Sequence, residues 1–299
     1  MDRFHLMSVF VAVAEAESFA GGARKLGMSP PAVTRAIASL ERRLGIQLLT
    51  RTTRFVRATD AGLRYLEHAR RIIAEADEAD EVAAGAHAEP RGQLAVTAPV
   101  LFGRMFVMPS MLQYLQRFTA VSISALFLDR VVNLLEEGQD VGIRIGELPD
   151  SSMKAIGVGH VRRVVCASPA YLKAHGMPKT PGDLARHSII AAGPVSPAVD
   201  WKFAHDKKSS SVKLAPRLAV TSNDAAIVAA AQGFGITRLL SYQVAPYLAS
   251  GQLKALLVDY EPPRLPIHVL HSEGRQASAK VRTFVDLLVE NLRADKALN

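Results

Sequence analysis

Apolar positions recur along this chain with two periods, and the period changes near residue 90. Before that point the spacing is helical. Leu6, Phe10 and Val13 share one face of a first helix that Asp2 can cap. Residues 19–26 predict a second, short helix. Gly27 then supplies a turn residue tolerant of positive φ, and Ser29 can accept from the backbone N–H groups that open a third helix. Pro30 stands at the first helical position, where its missing donor costs nothing. Along the third helix Val33, Ile37, Leu40 and Leu44 make the buried face, while Pro31, Thr34, Arg35, Ala38 and Arg42 point outward. The segment TTRFVRAT, residues 52–59, is short and β-branched or aromatic, which predicts a two-stranded wing.

Thr59 and Asp60 then open a helix that runs to about residue 86 without a proline. On it Gly62, Tyr65, Ala69, Ile72, Ala76, Ala79 and Ala83 alternate spacings of three and four. Such a seam of small residues admits the same helix of a second copy, or docks on its own chain. The stretch GAHAEPRG, residues 85–92, has no period and reads as a linker. Beyond it strands alternate with helices. Strands are expected at 93–98, 121–128, 141–145, 163–167, 218–220, 236–239, 253–257 and 267–270. Helices are expected at 105–118, 130–137, 169–175, 223–232, 242–249 and 278–292. That alternation predicts βαβ units and a mainly parallel sheet, hence an α/β fold.

Charge sharpens the first part of this picture. From Arg42 to Thr59 there is no carboxylate, but there are Arg42, Arg43, Arg51, Arg54 and Arg57. Beside a short polar helix face carrying Thr34 and Arg35, such a run suits DNA, with Arg35 able to fork onto guanine and the arginines of the wing neutralising phosphates. The overall formal charge of +8 agrees with a polyanion partner. Cys166 is the only cysteine, so no disulfide framework or multi-cysteine metal site is available, and a buried, inert thiol is expected. No basic, apolar, small-residue leader opens the chain and no apolar run reaches membrane-spanning length, so the cytoplasm is the expected compartment.

Tests for catalysis and cofactors find nothing: no G-x-S-x-G elbow, H-E-x-x-H pair or P-loop is present, and no cofactor, metal or catalytic residue is assigned. Gly157-Val-Gly159 reads as a turn, and Gly233-Phe-Gly235 as a helix end followed by a strand entry. His268 and His271 lie three apart in a predicted strand and lack a further ligand. The candidate site is a cleft at the carboxyl ends of strands, lined by Thr97, Ala98, Pro99, Val100 and Phe102 after the first strand and by Thr221, Ser222 and Asn223 at a helix start. Arg144 lies inside an apolar strand, so it needs an internal carboxylate such as Asp129 or Asp140, or an anionic ligand.

The stretch FVAVAEAESFAGGARKLGMSPPAVTRAIASLERRLGIQLLTRTTRFVRATDAG, with Ser222-Asn223-Asp224 and Gly233-Phe-Gly-Ile much later, resembles the LysR-type transcriptional regulators over nearly the whole chain. The resemblance implies a winged helix-turn-helix over 1–59, a dimerising linker helix over 60–88 and an effector domain over 89–299. That last domain would be two-lobed and periplasmic-binding-protein-like (type 2), with lobe one at 91–161 and 266–299 and lobe two at 162–265. It places Pro30, Pro31, Thr34, Arg35 and Arg54 toward DNA, with Ser29, Ala38, Arg51 and Arg57 around them, and Tyr65, Ala69, Ile72, Ala76, Ala79 and Ala83 in the dimer seam. Where many members carry Gln this chain has Pro30, which shifts base reading onto Thr34 and Arg35. Implied partners are double-stranded DNA, a small and anionic effector, further copies of the chain as dimer or tetramer, and RNA polymerase. The alternative from another class is a two-lobed small-molecule-binding protein or enzyme with a basic assembly domain.

Overall fold

A computed structural model of the chain describes residues 2–51, 56–84, 89–130, 133–134, 136–148, 153–193, 196–206, 208–271 and 278–298. It divides into two units, Met1–Ala88 and Glu89–Asn299. In the first, helices α1 (Arg3–Ala16), α2 (Phe19–Lys25) and α3 (Pro30–Leu44) bury Leu6, Val9, Phe10, Val13, Ala23, Val33, Ile37 and Leu40 together. Ser18 caps α2 by accepting from the Gly21 N–H, and Gly27 takes φ +62 in the turn that follows. Leu44 does not join the core. The chain turns away at Gly45 (φ +68), so the last turn of α3 overhangs and Ala36 fills the buried face instead.

Asp2 and Ser29 occupy the N-cap positions of α1 and α3, yet neither side chain makes a capping bond. For Ser29 the reason is local: Pro30 and Pro31 have no N–H to offer, and the next two amides, Ala32 and Val33, donate to the Ser29 carbonyl at 3.0 and 3.1 Å. Strands β1 (Leu49–Arg51) and β2 (Val56–Ala58) pair antiparallel, Thr50 opposite Arg57, and lead into helix α4 (Asp60–Ala84).

The second unit is built on two five-stranded mixed sheets. Strands β3 (Gly92–Ala98), β4 (Val121–Phe127), β5 (Val141–Ile145), β6 (Lys154–Val161) and β14 (Leu265–His271) form the first in the order β4-β3-β5-β14-β6. The second has the order β11-β8-β12-β7-β13, from β7 (Arg163–Ala167), β8 (Ile189–Ala192), β11 (Leu218–Val220), β12 (Ile236–Leu240) and β13 (Lys254–Leu256). As the alternation of strands and helices predicts, most strands of each sheet share one direction. In each, four strands run one way and one runs against them: β14 lies antiparallel between β5 and β6, and β7 lies antiparallel between β12 and β13. The chain crosses between sheets at Arg162 and again before β14, leaving two lobes.

After β3 the helix α5 (Val100–Phe102) runs through a π-helical turn (Gly103–Val107) into α6 (Met108–Arg117). The second lobe carries α7 (Pro169–His175), α8 (Asn223–Ala231) and α9 (Ser241–Ala249), and α10 (Ala279–Ala294) packs on the first sheet. One apolar cluster spans both lobes: Phe102 and Phe106 meet the Tyr242 ring of the other lobe edge-on at 5.4 and 5.7 Å. The hairpin β9 (Val199–His205) and β10 (Lys208–Leu214) buries Trp201 and Phe203 beside the second sheet.

Several expectations are corrected here. Of the helix expected over 130–137, residues 131, 132 and 135 lie outside the described residues; residues 134 and 136–138 form turn, with Glu137 N–H donating to Asn133 O and Gln139 N–H to Leu134 O. Gly157 and Gly159 lie within strand β6, not in a turn. Gly233, at φ +84, does end α8, and Gly235 lies so near the Ser188 carbonyl that a Cβ would stand 2.2 Å from it. Cys166 is fully buried, and burial pushes its thiol up to about 12.

Candidate nucleic-acid interface and ligand cleft

The outward face of α3 carries what a major groove requires. Ser29, Pro30, Pro31 and Arg35 are exposed, and Thr34 and Ala38 half-exposed. Thr34 donates its hydroxyl hydrogen to the Pro30 carbonyl at 3.0 Å, which leaves its oxygen outward as an acceptor. The Ser29 hydroxyl makes no capping bond and lies on this exposed face. Arg57 projects from the wing into solvent. Arg54 lies outside the described residues, as does the side chain of Arg51.

What holds the wing to the recognition helix is a residue that reasoning from sequence missed. The Glu41 carboxylate, on the last turns of α3, accepts from the Leu48 and Leu49 N–H groups at 2.9 and 3.1 Å. The Leu48 carbonyl in turn accepts from the Thr59 N–H at 2.9 Å, and Thr59 Oγ1 caps the Gly62 N–H at 3.0 Å. Gly62 leaves room for that carbonyl, since a Cβ there would lie 2.0 Å from the Leu48 oxygen. One peptide thus ties α3, both wing strands and the start of α4. A carboxylate in an otherwise arginine-only stretch boundary was the signal available.

The lower end of the predicted dimer seam is used inside this unit. Ala69 is fully buried, the Tyr65 ring packs edge-on against Phe10 at 5.4 Å, and Arg70 reaches Glu15 at 2.9 Å. Ala69 is therefore unavailable to a partner, because α4 docks on α1. Ile72 is exposed and Ala76 half-exposed. The side chains of Ala79 and Ala83 lie outside the described residues.

Between the lobes lies a cleft of about 290 Å³. Of the nine residues expected there it brings together Pro99, Arg144 and Asn223. Thr97, Ala98 and Phe102 are fully buried beneath it, Phe102 being committed to the aromatic floor. Val100, Thr221 and Ser222 do not line it; Ser222 caps α8 through the Ala225 N–H. Asp129 serves the places where a ligand acid was expected. It accepts from the Val100 N–H at 3.0 Å and from Asn223 Nδ2 at 2.9 Å, bridging the lobes.

Four arginines and one aspartate line this cleft. Arg130 forks onto Glu137 with two bonds of 2.7 Å. Arg144 donates to the Ile143 carbonyl at 3.1 Å, and burial lowers its pKa while the charge of Glu137 opposes the shift. Of the carboxylates anticipated for it, Asp140 accepts from the Ala95 N–H at 2.7 Å. Arg163 and Arg238 come from adjacent strands of the second lobe and escaped the reading of the sequence, since each looks like the polar member of a strand alternation. Burial lowers the pKa of both, to about 10 for Arg238, which Arg163 depresses further. All four stay cationic at neutral pH.

A winged helix-turn-helix presenting arginine beside an α/β unit with a cationic cleft defines the class: a DNA reader joined to a small-molecule-binding domain. Residues 4–63 match the bacterial regulatory helix-turn-helix proteins of the lysR family, and residues 87–293 match the LysR substrate binding domain. The chain belongs to the LysR family and is a DNA-binding transcriptional regulator; the family consists of regulators rather than enzymes, and its members bind DNA and small-molecule effectors and oligomerise. It is 33% identical to the transcriptional regulator PtxR of Pseudomonas aeruginosa over 95% of this chain and 91% of PtxR. The solved structure of CrgA, a LysR-type regulator of Neisseria meningitidis, covers 96% of this chain and 98% of its own at 30% identity and a TM-score of 0.61. Full-length AphB of Vibrio cholerae shares the fold at 23% identity, with 97% and 99% coverage and a TM-score of 0.64. No described helix is long and apolar enough to cross a membrane.

Removing the Glu41 clamp tests the geometry of the reader. Glu41→Ala should lower stability by about 1–3 kcal/mol through two unsatisfied buried amides and weaken DNA binding, as read by thermal melts and gel shift. Glu41→Gln keeps one acceptor oxygen and should restore much of both; equal losses for the two variants would contradict the clamp.

Proposed function

We propose that this regulator reads operator DNA with Ser29, Pro31, Thr34, Arg35 and Ala38 on α3, holds phosphates with Arg51, Arg54 and Arg57 of the wing, and responds to an anionic effector in the interlobe cleft. The single observation that carries the effector reading is the arginine lining, with Arg144, Pro99 and Asn223 as contacts. Copies of the chain pair through the free part of α4 from Ile72 and Ala76 onward, with Ala79 and Ala83 continuing the seam, to make dimers and tetramers. The site of action is the cytoplasm, where the bound regulator meets RNA polymerase.

Two measurements test these roles. In gel shifts with the DNA upstream of the chain's own gene, Arg35→Ala should cost about 1–3 kcal/mol per half-site and relax base preference, whereas Arg57→Ala should weaken all sequences alike and flatten the salt dependence. Equal, sequence-independent losses would make Arg35 a phosphate contact only. In sedimentation of the full chain, Ile72→Glu and Ala76→Glu should each give smaller assemblies. An unchanged mass would place the interface elsewhere.

A further inference from the structure

Arg163 and Arg238 are two guanidinium groups brought to one cleft by neighbouring strands of one sheet. Strand β7 pairs antiparallel with β12, with Arg238 opposite Val165 and Arg163 opposite Leu240, and both side chains reach the cavity wall. Arg238 is set in place from behind: its guanidinium lies over the Trp201 ring at 5.0 Å, and Nη1 donates to the Lys202 carbonyl at 3.1 Å. The β9–β10 hairpin is thus the buttress of a cleft residue.

Carboxylates near this pair have hydrogen-bond donors of their own. Asp129 uses both oxygens on Val100 and Asn223, Glu137 is forked by Arg130, and Asp200, which draws on Arg238 from the hairpin, accepts from the Ser211 hydroxyl. Arg163 has no ion-pair partner among the described residues. Two half-buried cations held together raise each other's free energy, and an acid group between them removes that cost while gaining forked hydrogen bonds.

We propose that the cleft is shaped for a doubly charged anion, a dicarboxylate or a phosphorylated carboxylate. One acid group is held by Arg163 and Arg238 on the second lobe and the other directed to Arg144 on the first. This rests on the effector reading above and adds a second acidic subsite to it. Its ligand spans the two lobes, so both acid groups are satisfied only when the lobes are held at one separation. A monoacid engages only one end of the cleft.

The test uses the full chain and matched acids, succinate against butyrate and 3-phosphoglycerate against glycerate, with binding followed by thermal shift and calorimetry. At least one diacid is expected to bind about tenfold or more tighter than its monoacid partner, the difference a single forked acid contact supplies. Which diacid wins separates carboxylate from phosphate at the Arg163–Arg238 end. Arg163→Gln and Arg238→Gln should each bring the preference to within about threefold, and Arg163→Lys, which keeps charge but not the fork, should fall between. Arg144→Gln should weaken diacid and monoacid together. If either Gln variant fails to fold, the other and Arg163→Lys decide. Equal binding of diacids and monoacids, or a preference that survives both Gln variants, overturns the second subsite and leaves an anionic effector standing. Failure of every acid to bind overturns both.

Discussion

A guanidinium cannot shed its charge at physiological pH, so each arginine drawn out of bulk water must be met by an acceptor, an anion or an aromatic face. That constraint organises both units of this chain. In the ligand-binding unit Arg162 meets Glu261 at 2.8 Å and Arg130 meets Glu137 at 2.7 Å. Arg238 takes a carbonyl and an indole face, and what remains is a cationic cleft above an aromatic floor. In the DNA-reading unit Arg35 and Arg57 are left in water, where a charged side chain costs nothing until a phosphate or guanine displaces its hydration.

Positioning in the two units is achieved by different means. The reader depends on one peptide, Leu48, whose N–H is fixed by Glu41 and whose carbonyl is fixed by Thr59 under the bare face of Gly62. A change in the direction of α4 therefore reaches the wing and recognition helix through a few short hydrogen bonds. The cleft depends on the Phe102–Phe106–Tyr242 cluster below and the Asp129–Asn223 bridge at its wall. The bridge is one hydrogen bond, from Asn223 Nδ2 to the Asp129 carboxylate.

Legibility in the sequence follows from range. The helix-turn-helix was readable because helical spacing, Gly27 and Pro30 act within a few residues. The seam on α4 was readable only in part, since Ala69 has the same spacing whether it faces a partner or α1, and only the tertiary contact decides. The one reversed strand in each sheet, β14 and β7, was not legible because an antiparallel return leaves no local mark. The β9–β10 hairpin was missed although Val199, Trp201 and Phe203 alternate with Asp200 and Lys202, because its serine-rich second strand resembles a linker. With it went the support of Arg238, one of the four arginines of the cleft.

If ligand in the cleft and DNA on α3 act on one equilibrium, as the proposed function requires, each must change the affinity of the other by the same factor. Fluorescence anisotropy of labelled DNA from upstream of the chain's own gene measures this directly, titrated with full-length protein in the absence and presence of a saturating acid that the cleft binds. The predicted result is a shift of the DNA-binding curve by about fivefold or more in either direction, absent in a protein carrying Arg144→Gln. Superimposable curves at proven saturation of the cleft would contradict it.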